Sequence, residues 1–178
     1  MKFFPYIESN ILRAPPGVSF TLASGLQSTY YLDLRKAMLT DGEALEAAAD
    51  DMYSILPSEV ELLGGVPTAG LPLMSALLMR SFQSGGLRRQ GFYTRKDGKR
   101  HGTGLRVEGH YAKGQVACLV EDTVTTGGSI LEHAQIARDA GIDVRYALCL
   151  FDREEGGREM LELAGIRLIS CYTASFVL

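Results

Sequence analysis

Two rhythms of apolar and polar positions run along this chain, and their alternation sets the expected architecture. Residues 116–120 and 146–150 are apolar at every position. Strands of that kind are covered on both sides, which calls for a parallel sheet with helices against each face. Elsewhere the spacing is helical. Thr40-Asp41-Gly42-Glu43 resembles a capping box, and Leu45, Ala48, Ala49, Met52, Ile55 and Leu56 then place one apolar face along the following helix. From residue 60 onward the rhythms alternate. Strands are expected over 60–63, 91–94, 115–120, 144–150 and 166–172, and helices over 71–84, 129–140 and 157–164. Upstream, residues 19–22 and 29–34 read as two strands around a hydroxyl- and glycine-containing turn. The expected fold is α/β: a doubly wound, mainly parallel sheet with helices on both faces. In such sheets ligands sit beyond the carboxyl ends of the strands, so the turns near residues 65, 121 and 152 should meet on one edge.

Length and charge narrow the picture. A chain of 178 residues suits one domain, expected over residues 1–178, and buries roughly 70% of its unfolded surface. A formal charge of −3 argues against a nucleic-acid or membrane-surface binder, which would carry a basic excess. Cys118, Cys149 and Cys171 each lie in an apolar run without zinc or redox spacing, as buried thiols in a reducing compartment do. The first residues carry neither a long apolar core nor a cleavage pattern, and no segment holds eighteen uninterrupted apolar residues. A cytoplasmic protein is expected.

Chemistry concentrates in Glu121-Asp122-Thr123-Val124-Thr125-Thr126-Gly127-Gly128-Ser129. Glycines let backbone N–H groups approach an anion, the helix opening near Ser129 adds its positive end, and Thr123, Thr125 and Thr126 supply short donors around a phosphate. Glu121 and Asp122 accept hydrogen bonds from vicinal sugar hydroxyls. The combination suits a ribose carrying a 5′-phosphate. No P-loop is present, and Gly102-Thr103-Gly104 lacks the third glycine of a dinucleotide fingerprint. A second segment packs Arg95, Lys96, Lys99, Arg100, His101 and Arg106 among glycines. It can close over a polyanion and stabilise a leaving group, or stand as a solvated basic turn. Gly64-Gly65-Val66-Pro67-Thr68-Ala69-Gly70 also leads from a strand into a helix, and Arg153 opens another turn after a strand. Arg153 can hold a planar acid or pair with Glu154 or Glu155.

The acidic and glycine-rich segment resembles the ribose-phosphate motif of type I phosphoribosyltransferases. The blocks Arg95-Lys96-Asp97-Gly98-Lys99-Arg100-His101-Gly102 and Asp152-Arg153-Glu154-Glu155-Gly156-Gly157 narrow the resemblance to the orotate phosphoribosyltransferase family. Residues 20–33 and 65–70 are similar to further family blocks in the same order. The resemblance implies the type I phosphoribosyltransferase fold, with a small N-terminal hood from residues 1–40 over the base site. It implies transfer of phosphoribose from phosphoribosyl pyrophosphate (PRPP) to orotate, with Mg2+ carried on PRPP rather than on protein ligands. PRPP would be held by Arg95, Lys96, Lys99, His101 and residues 121–129, Val124 included. Orotate would meet Thr125, Arg153, Tyr30 and Tyr31, although alternation along a strand turns one tyrosine away. Asp122, Lys99 and His101 are the expected catalytic residues, His101 as a proton donor or only a hydrogen-bond donor. Ala23 and Ala69 depart from relatives that carry lysine there. The implied assembly is a homodimer with shared active sites. The competing readings are a phosphoribosyltransferase for another base and a non-catalytic PRPP-binding regulator.

Overall fold

The computed structural model describes residues 1–21, 25, 27–96 and 106–178. The chain opens with α1 (Phe4–Asn10) and β1 (Ile11–Arg13), followed by β2 (Phe20–Thr21), β3 (Gln27–Ser28) and β4 (Tyr30–Leu32). β1 pairs antiparallel with β4, and β2 with β3. The two strands expected over 19–22 and 29–34 therefore enter separate ribbons, because β4 turns away to meet β1 instead of completing a hairpin with β2.

Two helices follow, α2 (Leu34–Thr40) and α3 (Gly42–Ser54). The expected cap is displaced by one residue. Thr40 is the last residue of α2 and donates its hydroxyl to the Lys36 carbonyl at 2.6 Å, so Asp41 caps α3 by accepting from the Glu43 N–H at 2.9 Å. The buried stripe of α3 runs through Ala44, Ala47, Ala48 and Met52, and the helix stops before Ile55.

The rest of the chain alternates through β5 (Leu62–Gly65), α4 (Gly70–Gln83), β6 (Gln90–Thr94), β7 (Val107–Gly109), β8 (Val116–Val124), α5 (Gly128–Asp139), β9 (Asp143–Asp152), α6 (Gly157–Leu163), β10 (Arg167–Thr173) and α7 (Ala174–Val177). The main sheet has the order β10-β9-β8-β5-β6-β7, parallel throughout except for β7 at the edge. Alternate side chains of each strand enter different cores. Leu63, Cys118, Val120 and Leu148 pack with Ala48, Met52, Leu73 and Leu77 of α3 and α4. Leu62, Ala117, Leu119 and Ala147 pack with Ile130, Ala134 and Leu161 of α5 and α6. Both faces are covered, as the all-apolar runs require. The three cysteines are buried and free. Among the described residues no helix is long and apolar enough to cross a membrane.

β8 differs from expectation in a way that matters for the site. It runs four residues beyond Val120, because Glu121, Thr123 and Val124 remain in the ladder opposite Cys149, Phe151 and Asp152 of β9. The acidic pair is therefore mounted on a sheet strand rather than on a turn. β5 begins two residues later than the apolar run, since residues 57–60 form a turn closed by the Val60 N–H on the Pro57 carbonyl.

Candidate functional site

The strand order places β5 beside β8 while their onward connections run to opposite sides of the sheet. That topological switch opens a crevice at the carboxyl ends of the two strands, where ligands of open α/β sheets bind. Two cavities occupy it. One, of about 290 Å3, is lined by Glu121 and by residues 123–130. The other, of about 370 Å3, shares Glu121, Thr123 and Thr125 with the first and is also bordered by Asp122, Arg153 and residues 67–69.

The smaller cavity is built for an anion. Gly127 caps α5 at φ 76°, a left-handed conformation that a side chain would strain, and a Cβ there would lie 3.2 Å from the Gly157 carbonyl. No side chain caps α5 and its first turn holds no acid, so the positive end of a twelve-residue helix faces the cavity wall. Thr123, Val124, Thr125, Thr126, Gly127, Gly128 and Ser129 all line it.

At the junction of the cavities lie the two carboxylates. The Glu121 side chain accepts from the Asp122 N–H at 3.1 Å, and Asp122 accepts from the Thr123 N–H at 2.7 Å. Burial, then the neighbouring Asp122 charge, pushes the Glu121 carboxyl up to about 9. Burial raises Asp122 as well, while the hydrogen bond from Glu121 opposes that rise. Both carboxyls are raised, Glu121 to about 9, so Glu121 holds a proton at neutral pH.

Arg153 lines the larger cavity from a buried position. Its Nε donates to Glu155 at 2.9 Å, its Nη2 donates to the Ser28 hydroxyl at 2.7 Å, and its guanidinium carbon lies 4.1 Å from the centre of the Tyr30 ring. The side chain is held on three sides, leaving Nη1 for a ligand. Arg153 pairs with Glu155 and also borders the larger cavity. The tyrosines divide as strand alternation requires. Tyr30 is buried edge-on against Phe151 and supports Arg153 from behind, whereas Tyr31 lines the cavity and leans on Phe20.

The basic segment is anchored away from both cavities. The Arg95 N–H bonds to the Arg106 carbonyl at 2.8 Å, and the Arg95 side chain lies 3.9 Å from Glu108. Lys96 pairs with Glu132 of α5 at 2.7 Å, and Thr94 at the end of β6 is hydrogen-bonded to His133 of the same helix. Lys99, His101 and Ala23 lie outside the described residues. Arg35 went unread as a site residue although it lines the larger cavity; its signal was a cation two residues after the Tyr31-Leu32-Asp33 run.

No family model matches the chain. It is 37% identical over 155 residues to the orotate phosphoribosyltransferase of Methanopyrus kandleri, covering 87% of this chain and 80% of the relative. It is 36% identical to that of Streptomyces coelicolor, covering 85% and 84%. Among solved structures, the orotate phosphoribosyltransferase of Aeropyrum pernix superposes with a TM-score of 0.80 at 30% identity, covering 99% and 96% of the two chains. The Mycobacterium tuberculosis H37Rv orotate phosphoribosyltransferase in complex with PRPP gives 0.74 at 25% identity, covering 98% and 96%.

Proposed function

The chain belongs to the orotate phosphoribosyltransferase family, and from that premise we propose that it carries out the family's reaction in the two joined cavities at the switch point. A ring nitrogen of orotate attacks C1′ of PRPP, the bond from C1′ to pyrophosphate breaks, and orotidine 5′-monophosphate forms. The 5′-phosphate occupies the smaller cavity against the α5 N-terminus and the hydroxyls of Thr123, Thr125 and Thr126. The ribose hydroxyls donate to Glu121 and Asp122, and the Asp122 charge also stabilises the positive sugar of the transition state. Orotate lies in the larger cavity with its carboxylate on Arg153, beside Tyr31 and Thr125, under a hood formed by residues 1–40. The observation that carries this reading is the joining of an acidic pair, an anion cradle and a buried, preoriented arginine in one crevice.

Adjacent carboxylates and hydroxyls form a hard oxygen donor set, which fits a magnesium ion brought in on the substrate. Mg2+ when bound neutralises the charge that develops on pyrophosphate. Asp122 and Glu121 then orient the ribose, while Arg95, Lys96, Lys99 and His101 close over the leaving group. Because Arg95 and Lys96 are rooted beside α5 and outside both cavities, we read the catalytic loop as serving the partner protomer of a homodimer. The enzyme works in the cytoplasm.

The experiment is the loss of orotate absorbance in the presence of PRPP and Mg2+, with each omitted in turn and with uracil and adenine as competing bases. Consumption of orotate only when both are present is the expected result. Equal use of uracil would remove the role given to Arg153, and no consumption under any condition would overturn the reading.

A further inference from the structure

The larger cavity needs positive charge to hold a polyanion, and its described wall has little to spare. Arg153 spends Nε and Nη2 on Glu155 and Ser28 and keeps Nη1 for the carboxylate of the base. Asp122 adds negative charge on the floor while Glu121 stays protonated, and the 67–69 wall of Pro67, Thr68 and Ala69 carries no charge. The remaining cation is Arg35, which enters the cavity from the first turn of α2. Its nearest acid, Asp33, stands 3.7 Å from Nε, and the Asp33 side chain is already engaged in capping α2 through the Lys36 N–H. About half of the Arg35 side chain is exposed, so its guanidinium reaches a ligand without first leaving a buried pair. Its field extends to the acid pair, where it opposes the effect of burial on both carboxyls. The 67–69 wall leads into α4, fourteen residues long, with no side-chain cap and no acid in its first turn. A flexible cation and an uncapped helix start thus border the same space, beside the pair that takes the ribose.

We propose that Arg35 is a further substrate-binding residue, gripping the pyrophosphate end of PRPP from the α2 wall. This deepens the reading above and rests on it. Arg35 delivers this charge from within the same chain.

Pyrophosphate with Mg2+, titrated calorimetrically into the wild type, Arg35→Ala and Arg35→Lys, tests the proposal without requiring turnover. Arg35→Ala should weaken pyrophosphate about tenfold or more, the usual scale for losing a charged hydrogen-bond partner, and raise the PRPP KM in parallel. The orotate KM should stay within about twofold, and Arg35→Lys should recover most of the loss because the charge returns. Arg35 is half exposed near the start of α2, so both variants should melt with the wild type. Unchanged pyrophosphate binding in Arg35→Ala, or a rise confined to the orotate KM, would overturn the proposal. A wild type that binds pyrophosphate but consumes no orotate would instead defeat the underlying reading of the reaction, while the titration still decides Arg35.

Discussion

Glu121 and Asp122 cannot both ionise at neutral pH without penalty, since burial and mutual repulsion oppose the second charge. The consequence for stability has a definite sign. Glu121 has an ordinary carboxyl value near 4.5 but titrates at about 9 in the fold, so between those limits the native state holds a proton that the unfolded chain has lost. Stability therefore falls as pH rises through that window. Glu121→Gln removes the penalty, and its melting temperature should exceed that of the wild type by a margin that grows from pH 5 to pH 9. Each kcal/mol regained corresponds to about 2–4 °C in a chain of this size. A constant margin would place the proton elsewhere. Asp122→Asn should fold normally and lose about 100-fold or more in kcat, as when one electrostatic stabiliser is deleted; near-normal turnover by the folded variant would remove Asp122 from the mechanism. Arg153→Ala should raise the orotate KM about 10- to 100-fold with little change for PRPP, and equal weakening of both substrates would move Arg153 away from the base.

At the scale of elements, the site depends on how closely α4 and α5 approach the sheet. A Cβ on Gly70 would lie 2.0 Å from the Val120 carbonyl oxygen, a backbone atom of β8 just ahead of the acidic pair. Gly70→Ala should therefore cost about 3 kcal/mol or more, since neither the strand nor the helix start can yield cheaply. Urea unfolding measures this directly, and a midpoint equal to the wild type would show that α4 moves freely at its N-terminus. The helix α5 has two duties. Its start lines the smaller cavity, and its Glu132 and His133 hold Lys96 and Thr94 at the root of the basic segment. The Lys96–Glu132 pair is exposed and screened by solvent, so it guides where the segment leaves the sheet more than it stabilises the fold.

For the whole molecule, the proposed sharing of active sites in a homodimer predicts a complementation result. If Lys99 serves the partner's site and Asp122 its own, inactive Lys99→Ala and inactive Asp122→Asn chains refolded together form mixed dimers with one intact site. Random pairing makes about half of the dimers mixed, so activity should return to about one quarter of the wild type. Mixed dimers demonstrated by mass but inactive would show that the loop closes on its own chain.

What the sequence determined by itself is what neighbouring residues decide among themselves. Residues 116–120 and 146–150 demanded cover on both faces, and the 121–129 segment carries its acids, hydroxyls and glycines within reach of one ligand whatever lies around it. Backbone geometry and side-chain period act over a few positions, so these features were legible without the fold. Tertiary structure decided the rest. The meeting of Arg153 with Ser28 spans 125 positions of chain, and Tyr30 rather than Tyr31 became its support because a strand presents alternate residues to opposite faces. Pairing with β9 carried β8 past its apolar run, and the α2 hydrogen bond of Thr40 passed the cap of α3 to Asp41. Arg35 became part of the cavity only when α2 was set beside the switch point between β5 and β8. Such encounters depend on strand order and register, which are settled by packing the whole chain at once and leave no mark in any short stretch of it.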